Sequence, residues 1–151
     1  MCSTAAVTSG ESTFTMELPY RRSLGPVVGA FLTGLRDGRI VGSRTASGRV
    51  LVPPLEYDPN TGEPIDEIVE VADTGTVKHL TWVAEPLPKH PFDRPFAWAL
   101  IQLDGADTSM LHALDAGSAD ELAVGMRVKA RWREERTGHI TDIESFEREP
   151  S

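Results

Sequence analysis

Residues 96–103 read FAWALIQL, a run broken by a single polar side chain, and the fold turns on how this run is read. Pro95 precedes it and the turn signal Asp104-Gly105-Ala106-Asp107 follows, so the run has the length of a strand. Upstream, residues 76–84 (TVKHLTWVA) are rich in β-branched and aromatic side chains, which suit a pleated, half-buried surface. Downstream, residues 109–114 (SMLHAL) follow the turn and read as a third strand. Residues 126–133 alternate strictly, with Met126, Val128, Ala130 and Trp132 on one face and Arg127, Lys129, Arg131 and Arg133 on the other. Residues 139–146 (HITDIESF) form a fifth strand around Ile140, Ile143 and Phe146, and a slip in phase after Thr141 predicts a β-bulge. Residues 116–122, opening at Ser118, predict a short helix between the third and fourth strands. Five strands with a helix in that place are the order of an OB barrel, so a mainly β, five-stranded barrel is expected over residues 73–148.

The part before the barrel is different in character. Residues 1–18 mix Ser, Thr, Ala and Gly without period and predict a disordered leader, in which Cys2, the only cysteine, is an incidental thiol. Within residues 19–38, Val27, Val28, Phe31, Leu32 and Leu35 recur at helical spacing, Pro26 suits the first turn and Gly38 the stop, which predicts a helix over residues 26–36. That apolar stripe serves either the chain's own barrel or a partner. Gly29 and Gly34 each weaken an isolated helix by about 1 kcal/mol relative to Ala, so packing must sustain it. Residues 39–72 predict short strands at 39–43 and 49–52, a stop at Pro53-Pro54, a turn in YDPNTGEP and, over 65–71, either an edge strand or the entry to the barrel.

Composition narrows the function classes. With 151 residues, 40% of them hydrophobic and 25% charged, the chain is globular and fits one domain with an appendage. A formal charge of −8 opposes phosphate neutralisation as the main source of affinity, so nucleic acid is disfavoured as a partner. No apolar run reaches the roughly 18 residues of a membrane span, and the N-terminus lacks a signal-peptide pattern, so a cytoplasmic location is expected. The four histidines, His79, His90, His112 and His139, form no metal-spaced pair, and no nucleophile motif or phosphate loop is present. An enzyme, such as a small thioester hydrolase, is therefore the weak reading.

The runs GRIVGSRTASGRVLVPPLEYDPNTG, DTGTV, RPFAWALIQLDGA and GMRVKARW resemble the acyl-CoA-associated OB-fold proteins catalogued as domain of unknown function thirty-five, over roughly residues 19–146. The resemblance implies an N-terminal helix, a rubredoxin-like zinc ribbon over residues 39–72 and an OB barrel. It also implies an accessory role beside a thiolase or a lipid-transfer-protein-type thiolase homologue. The family ribbon uses two Cys-x-x-Cys pairs. Aligned on Gly48 and Gly62, the corresponding positions here are Arg44, Ser47, Asp58 and Thr61, which offer no thiolate, so a degenerate ribbon without zinc is expected. In its place, hydrogen bonds among Arg44, Asp58 and the turn residues are expected, with packing of Val50, Val52, Pro53 and Pro54. The cysteine-free form further resembles subunits of actinobacterial steroid and lipid catabolism that join a thiolase-like aldolase acting on a CoA-linked side chain.

From these readings the partner-binding residues are expected to be Val27, Val28, Phe31, Leu32 and Leu35 on the helix, with Leu87 and Phe92 on the stiff loop PLPKHPFDRP. For a CoA thioester, Arg127, Lys129 and Arg131 are the candidate anion contacts, and Trp82 and Trp98 candidate walls of a pantetheine slot, against a bland reading as solvated face and barrel core. The expected function is a non-catalytic accessory subunit in a hetero-oligomer that binds or orients acyl-CoA. The alternative is a single-stranded nucleic-acid-binding OB module.

Overall fold

The computed structural model describes Gly10 and residues 12–151. The leader expected over residues 1–18 therefore lies largely outside the described residues, and Cys2 wholly so. Residues 12–24 carry no regular element.

One helix, α1, spans Gly25–Arg36. It ends where Asp37, Gly38 and Arg39 donate backbone N–H groups to the carbonyls of Thr33, Leu35 and Gly34, satisfying the last turn as a glycine-terminated cap should. A three-stranded antiparallel sheet follows, made of β1 (Ile40–Arg44), β2 (Val50–Leu51) and β3 (Glu67–Val71) in the order β2-β1-β3.

The chain then enters a closed barrel of β4 (Thr74–Val83), β5 (Phe96–Leu103), β6 (Met110–Leu114), β7 (Arg127–Trp132) and β8 (Ile143–Arg148), ordered β4-β5-β6-β8-β7. All pairs are antiparallel except β6 with β8, which meet in parallel at Leu114 and Phe146. This is the OB topology, and the mainly β class is as the sequence predicts. The core continues from barrel to helix: Phe146, Leu114, Ile101, Val77 and Val128 pack in one cluster with Phe31, Leu35 and Ile40.

Two local expectations are corrected. Residues 139–142 are not a bulged strand: Ile140–Asp142 form a 3₁₀ turn, and β8 starts only at Ile143. The His139 ring accepts the Thr141 N–H and the Asp142 carboxylate accepts the His139 N–H, so local capping outcompetes the ladder. A bulge does occur in the last strand, but at Glu144, the extra residue of β8 between Ile143 and Ser145, which face Trp132 and Arg131; a second lies on β4, where Lys78 is the extra residue between Val77 and His79. The predicted helix over 116–122 is a single 3₁₀ turn at Ala119–Glu121.

The segment between β1 and β3 forms a hydrogen-bonded turn at each of the two positions where the resemblance implies a knuckle. Gly48 and Gly62 adopt φ of 90° and 75°, the left-handed region that glycine enters without a Cβ clash. In the first turn the Gly48 N–H donates to the Thr45 carbonyl, and the buried Thr45 hydroxyl accepts the Arg49 N–H and contacts the Ser47 hydroxyl. In the second the Gly62 N–H donates to the Asp58 carbonyl and the Asp58 carboxylate accepts the Asn60 N–H. Arg44 pairs with Glu67 at 3.0 Å rather than with Asp58, because register on β1 places it opposite Glu67. Val50, Val52 and Pro54 are buried, whereas Pro53 is exposed.

Candidate functional site

The most built surface outside the core is the proline loop between β4 and β5. Prolines at 86, 88, 91 and 95 restrict its backbone, and aromatic contacts anchor it to the barrel. Phe96 is fully buried at the start of β5, and around it pack Phe92 (ring centroids 5.6 Å apart), His90 (5.5 Å) and Trp98 (5.3 Å), all edge to face. The His90 Nδ1 accepts the Leu87 N–H at 3.2 Å and the His90 N–H donates to the Leu87 carbonyl at 2.9 Å, closing the loop on itself. Arg94 lies over the Phe92 ring at 4.7 Å and donates two hydrogen bonds, of 2.6 and 2.8 Å, to the Asp115 carboxylate at the end of β6. These anchors leave Leu87 pointing outward, 64% exposed, on a hollow of about 490 Å³ shared with Pro86, Pro88, His90 and Phe92. Of the two loop residues expected to touch a partner, Leu87 is free surface, and Phe92 is half-buried as part of the anchor.

The helix residues divide in the same manner. Val27, Phe31 and Leu35 are buried, Phe31 and Leu35 in the cluster that β1 and the barrel share; their apolar area is already used inside the chain. Leu32 is half-buried on the same cluster, and only Val28, 37% exposed, faces out, near the exposed Leu24. The turn after β7 holds α1 in place: the Arg136 Nε donates to the Arg36 carbonyl at the helix end. That turn is itself organised by the buried Asp142 carboxylate, which accepts the N–H groups of Thr137 (3.0 Å), Gly138 (2.7 Å) and His139 (3.0 Å). Burial pushes the Asp142 carboxyl upward, but these N–H donors outweigh it and hold the group below the usual carboxylate range.

The cationic face of β7 is largely satisfied by neighbouring strands. Arg127 donates to Asp104 at 2.7 Å and to Glu149 at 3.0 Å, and the Arg127 hydrogen bonds hold the Asp104 carboxyl down to about 2. Arg131 donates to Glu144, Glu147 and Asp115 at 2.8, 3.1 and 3.0 Å. The Arg94 hydrogen bond, together with that from Arg131, lowers the Asp115 carboxyl despite its partial burial. An incoming phosphate would have to displace carboxylates from both arginines. Lys129 is exposed and makes no ion pair among the described residues. Trp82 and Trp98 are half-buried, Trp82 packed on the barrel core and Trp98 beside His90.

The four ribbon positions do not fit a zinc ion. Arg44 is a cation already paired with Glu67, Asp58 turns its carboxylate to the Asn60 N–H, and the Thr61 hydroxyl accepts the Glu63 N–H, so the donor set lacks both charge and softness. No group of three or more His, Cys, Asp or Glu able to hold a metal occurs among the described residues. No helix among them is long and apolar enough to cross a membrane.

One pair of surface residues escaped the sequence reading. Leu100 on β5 and Leu111 on β6 are register partners, 36% and 59% exposed, so an apolar spot lies on the outer barrel wall. The signal was available: in FAWALIQL the alternation sets Ala97, Ala99, Ile101 and Leu103 inward, leaving Leu100 outward despite its apolar character.

Residues 68–133 match the family model described as the C-terminal OB-fold domain of ChsH2. Among curated proteins nothing matches the chain. Solved structures that share the fold include two at 25% identity. One is a DUF35-family protein of unknown function from Sulfolobus solfataricus, with 25% identity and a TM-score of 0.59 over 71% of this chain and 77% of that one. The other is a chain of the Ltp2-ChsH2(DUF35) aldolase, with 25% identity and a TM-score of 0.61 over 85% of this chain and 98% of that one. In sequence over residues 68–133 and in fold over most of its length, the chain resembles ChsH2 and the DUF35 OB-fold proteins.

Proposed function

We propose that the chain is a non-catalytic accessory subunit that docks on a thiolase-like or lipid-transfer-type aldolase and helps bind or orient its acyl-CoA substrate, in the breakdown of a CoA-linked side chain of the steroid type. The observation that carries this reading is the fold shared, over nearly the whole of the other chain, with a component of the Ltp2-ChsH2(DUF35) aldolase. The surfaces agree with it. A preordered proline loop presents Leu87 at small entropic cost, and Val28 with Leu24 adds a second apolar contact at the start of α1. Lys129 is the cation of the β7 set left for a CoA phosphate, and Trp82 and Trp98 supply aromatic faces for the pantetheine arm. The chemistry is assigned to the partner: the histidine–hydroxyl contact among the described hydrogen bonds, His139 Nδ1 with Thr141 Oγ1 at 2.9 Å, belongs to the cap of a 3₁₀ turn, where the same nitrogen accepts the Thr141 N–H. Nucleic-acid binding loses ground because the two arginines of β7 that would track phosphates are clamped by carboxylates.

The test is co-expression with a thiolase-like aldolase partner. Co-purification in a defined ratio, with retro-aldol cleavage of an acyl-CoA requiring both chains, is the expected result. Thioester turnover by this chain on its own, or salt-sensitive oligonucleotide binding in place of the complex, would overturn the reading.

A further inference from the structure

The two lateral edges of the β2-β1-β3 sheet are finished differently. The β2 edge is closed by the loop between β5 and β6: the Val50 N–H donates to the Asp107 carboxylate and the Asp107 N–H to the Val50 carbonyl, both at 2.8 Å. Next to them the Thr108 hydroxyl accepts the Val52 N–H and donates to the Val52 carbonyl. The β3 edge has no such cover; β3 ends the sheet, and no strand pairs beyond it among the described residues. Beside that edge, a groove of about 430 Å³ runs between α1 and β3 over Pro26, Gly29, Ala30, Thr33 and Ile68, and the Arg39–Glu70 ion pair, at 3.6 Å, also lines it. It continues past Pro26 and Ile68 into a hollow of about 270 Å³ that reaches Tyr57 and Ile65. Glu56 and Asp66 line the hollow, and neither makes an ion pair among the described residues.

The same chain carries a segment of matching character. Phe14, Met16, Leu18 and Tyr20 alternate along residues without regular structure and stand 83%, 68%, 70% and 68% exposed. In an extended strand these four share one side-chain face, and their N–H and C=O groups share one lateral edge. The opposite edge belongs to Thr15, Glu17 and Pro19, and Pro19 has no N–H, so only the first edge can complete a ladder. Such a segment adds to a sheet on one side only. Its length, roughly 20 Å at ~3.3 Å per residue, matches the roughly 18 Å of α1 that flanks the groove. Arg21 and Arg22 follow it, which complements the acidic hollow.

We infer that residues 14–20 add as a strand to the β3 edge of a second copy of this chain, with their apolar face in its groove and Arg21 and Arg22 at Glu56 and Asp66. The exchange is reciprocal and closes a two-fold dimer. A second copy is favoured over the chain's own groove because the segment, joined to α1 only by residues 21–24, stays outside that groove, with Phe14, Met16 and Leu18 in solvent and only Arg22 over the Tyr20 ring, at 5.3 Å. This interface leaves free the proline loop on which the proposed enzyme docking chiefly rests.

The experiment uses the full chain with p-benzoylphenylalanine in place of Phe14, prepared once at natural abundance and once with ¹⁵N, then mixed and irradiated. Crosslinked peptides joining position 14 of one isotope to residues 26–34 or 64–70 of the other, with sedimentation as a dimer, are expected. Phe14→Ser with Leu18→Ser should weaken the dimer at least tenfold. Gly29→Leu, at a helix position where an added Cβ meets nothing within 4 Å, should do the same from the acceptor side. Crosslinks within a single isotope in a monomer, crosslinks only to a co-expressed enzyme, or no crosslink to these residues would each overturn the inference.

Discussion

Leu87→Ser tests the docking role of the proline loop with little risk to the fold. The Leu87 side chain projects from a loop whose anchors are Phe92, His90 and Arg94, none of which the substitution removes. Burying a leucine fully is worth about 1.5 to 3 kcal/mol. Because 64% of Leu87 is still exposed in the free chain, about 1 to 2 kcal/mol remains to be gained on docking, a factor of roughly 5 to 30 in Kd. Isothermal titration or biolayer interferometry against the thiolase-like aldolase partner should show that loss, with the unfolding midpoint unchanged. Val124→Ser removes a comparably exposed apolar side chain, 65% exposed, from the loop before β7 and serves as the control. If Leu87→Ser bound as tightly as the parent chain, or if Val124→Ser weakened binding equally, the loop would not be the docking element.

Asp142→Ala should destabilise the chain by about 2 to 4 kcal/mol in urea unfolding, since three N–H groups lose a charged acceptor and only partly regain water. It should also raise hydrogen exchange at the end of α1, which the same turn supports through Arg136. Stability should fall in acid in a defined window. Asp104 sits at about 2 in the fold, and Asp115 and Asp142 are also lowered, so each contributes above its unfolded value of about 4 and loses that contribution as pH falls from there toward 2. Thermal melts across pH 2–5 should show this, and Asp104→Asn should flatten the slope; a melting temperature flat over that range would refute it. Purified protein should carry sub-stoichiometric zinc by elemental analysis and keep its melting temperature in chelator, because the knuckles are held by Thr45 and Asp58.

What could be read from the chain in one dimension was whatever rests on short-range pattern. The two-residue alternation of β7 and the nearly apolar β5 identified strands, because side chains along a strand point to opposite faces whatever lies beyond them. The four-residue spacing of Val27, Phe31 and Leu35 identified α1 and its apolar stripe, though not what covers it, and the missing cysteines at 44, 47, 58 and 61 were plain to see. Where two local choices competed, pattern failed: the apolar Ile140 suggested strand, but capping by His139 and Asp142 won.

Tertiary structure alone decided which of these features remain available to a ligand or partner. Alternation placed Arg127 and Arg131 outward, yet their carboxylate partners lie 13 to 23 residues away along the chain and meet them only when the barrel closes. Helical spacing marked five apolar residues, but only packing against β1 and the barrel showed that three are fully enclosed and that Val28 is left outside. Exposure is a property of what other segments cover, and that information resides in contacts between residues distant in sequence.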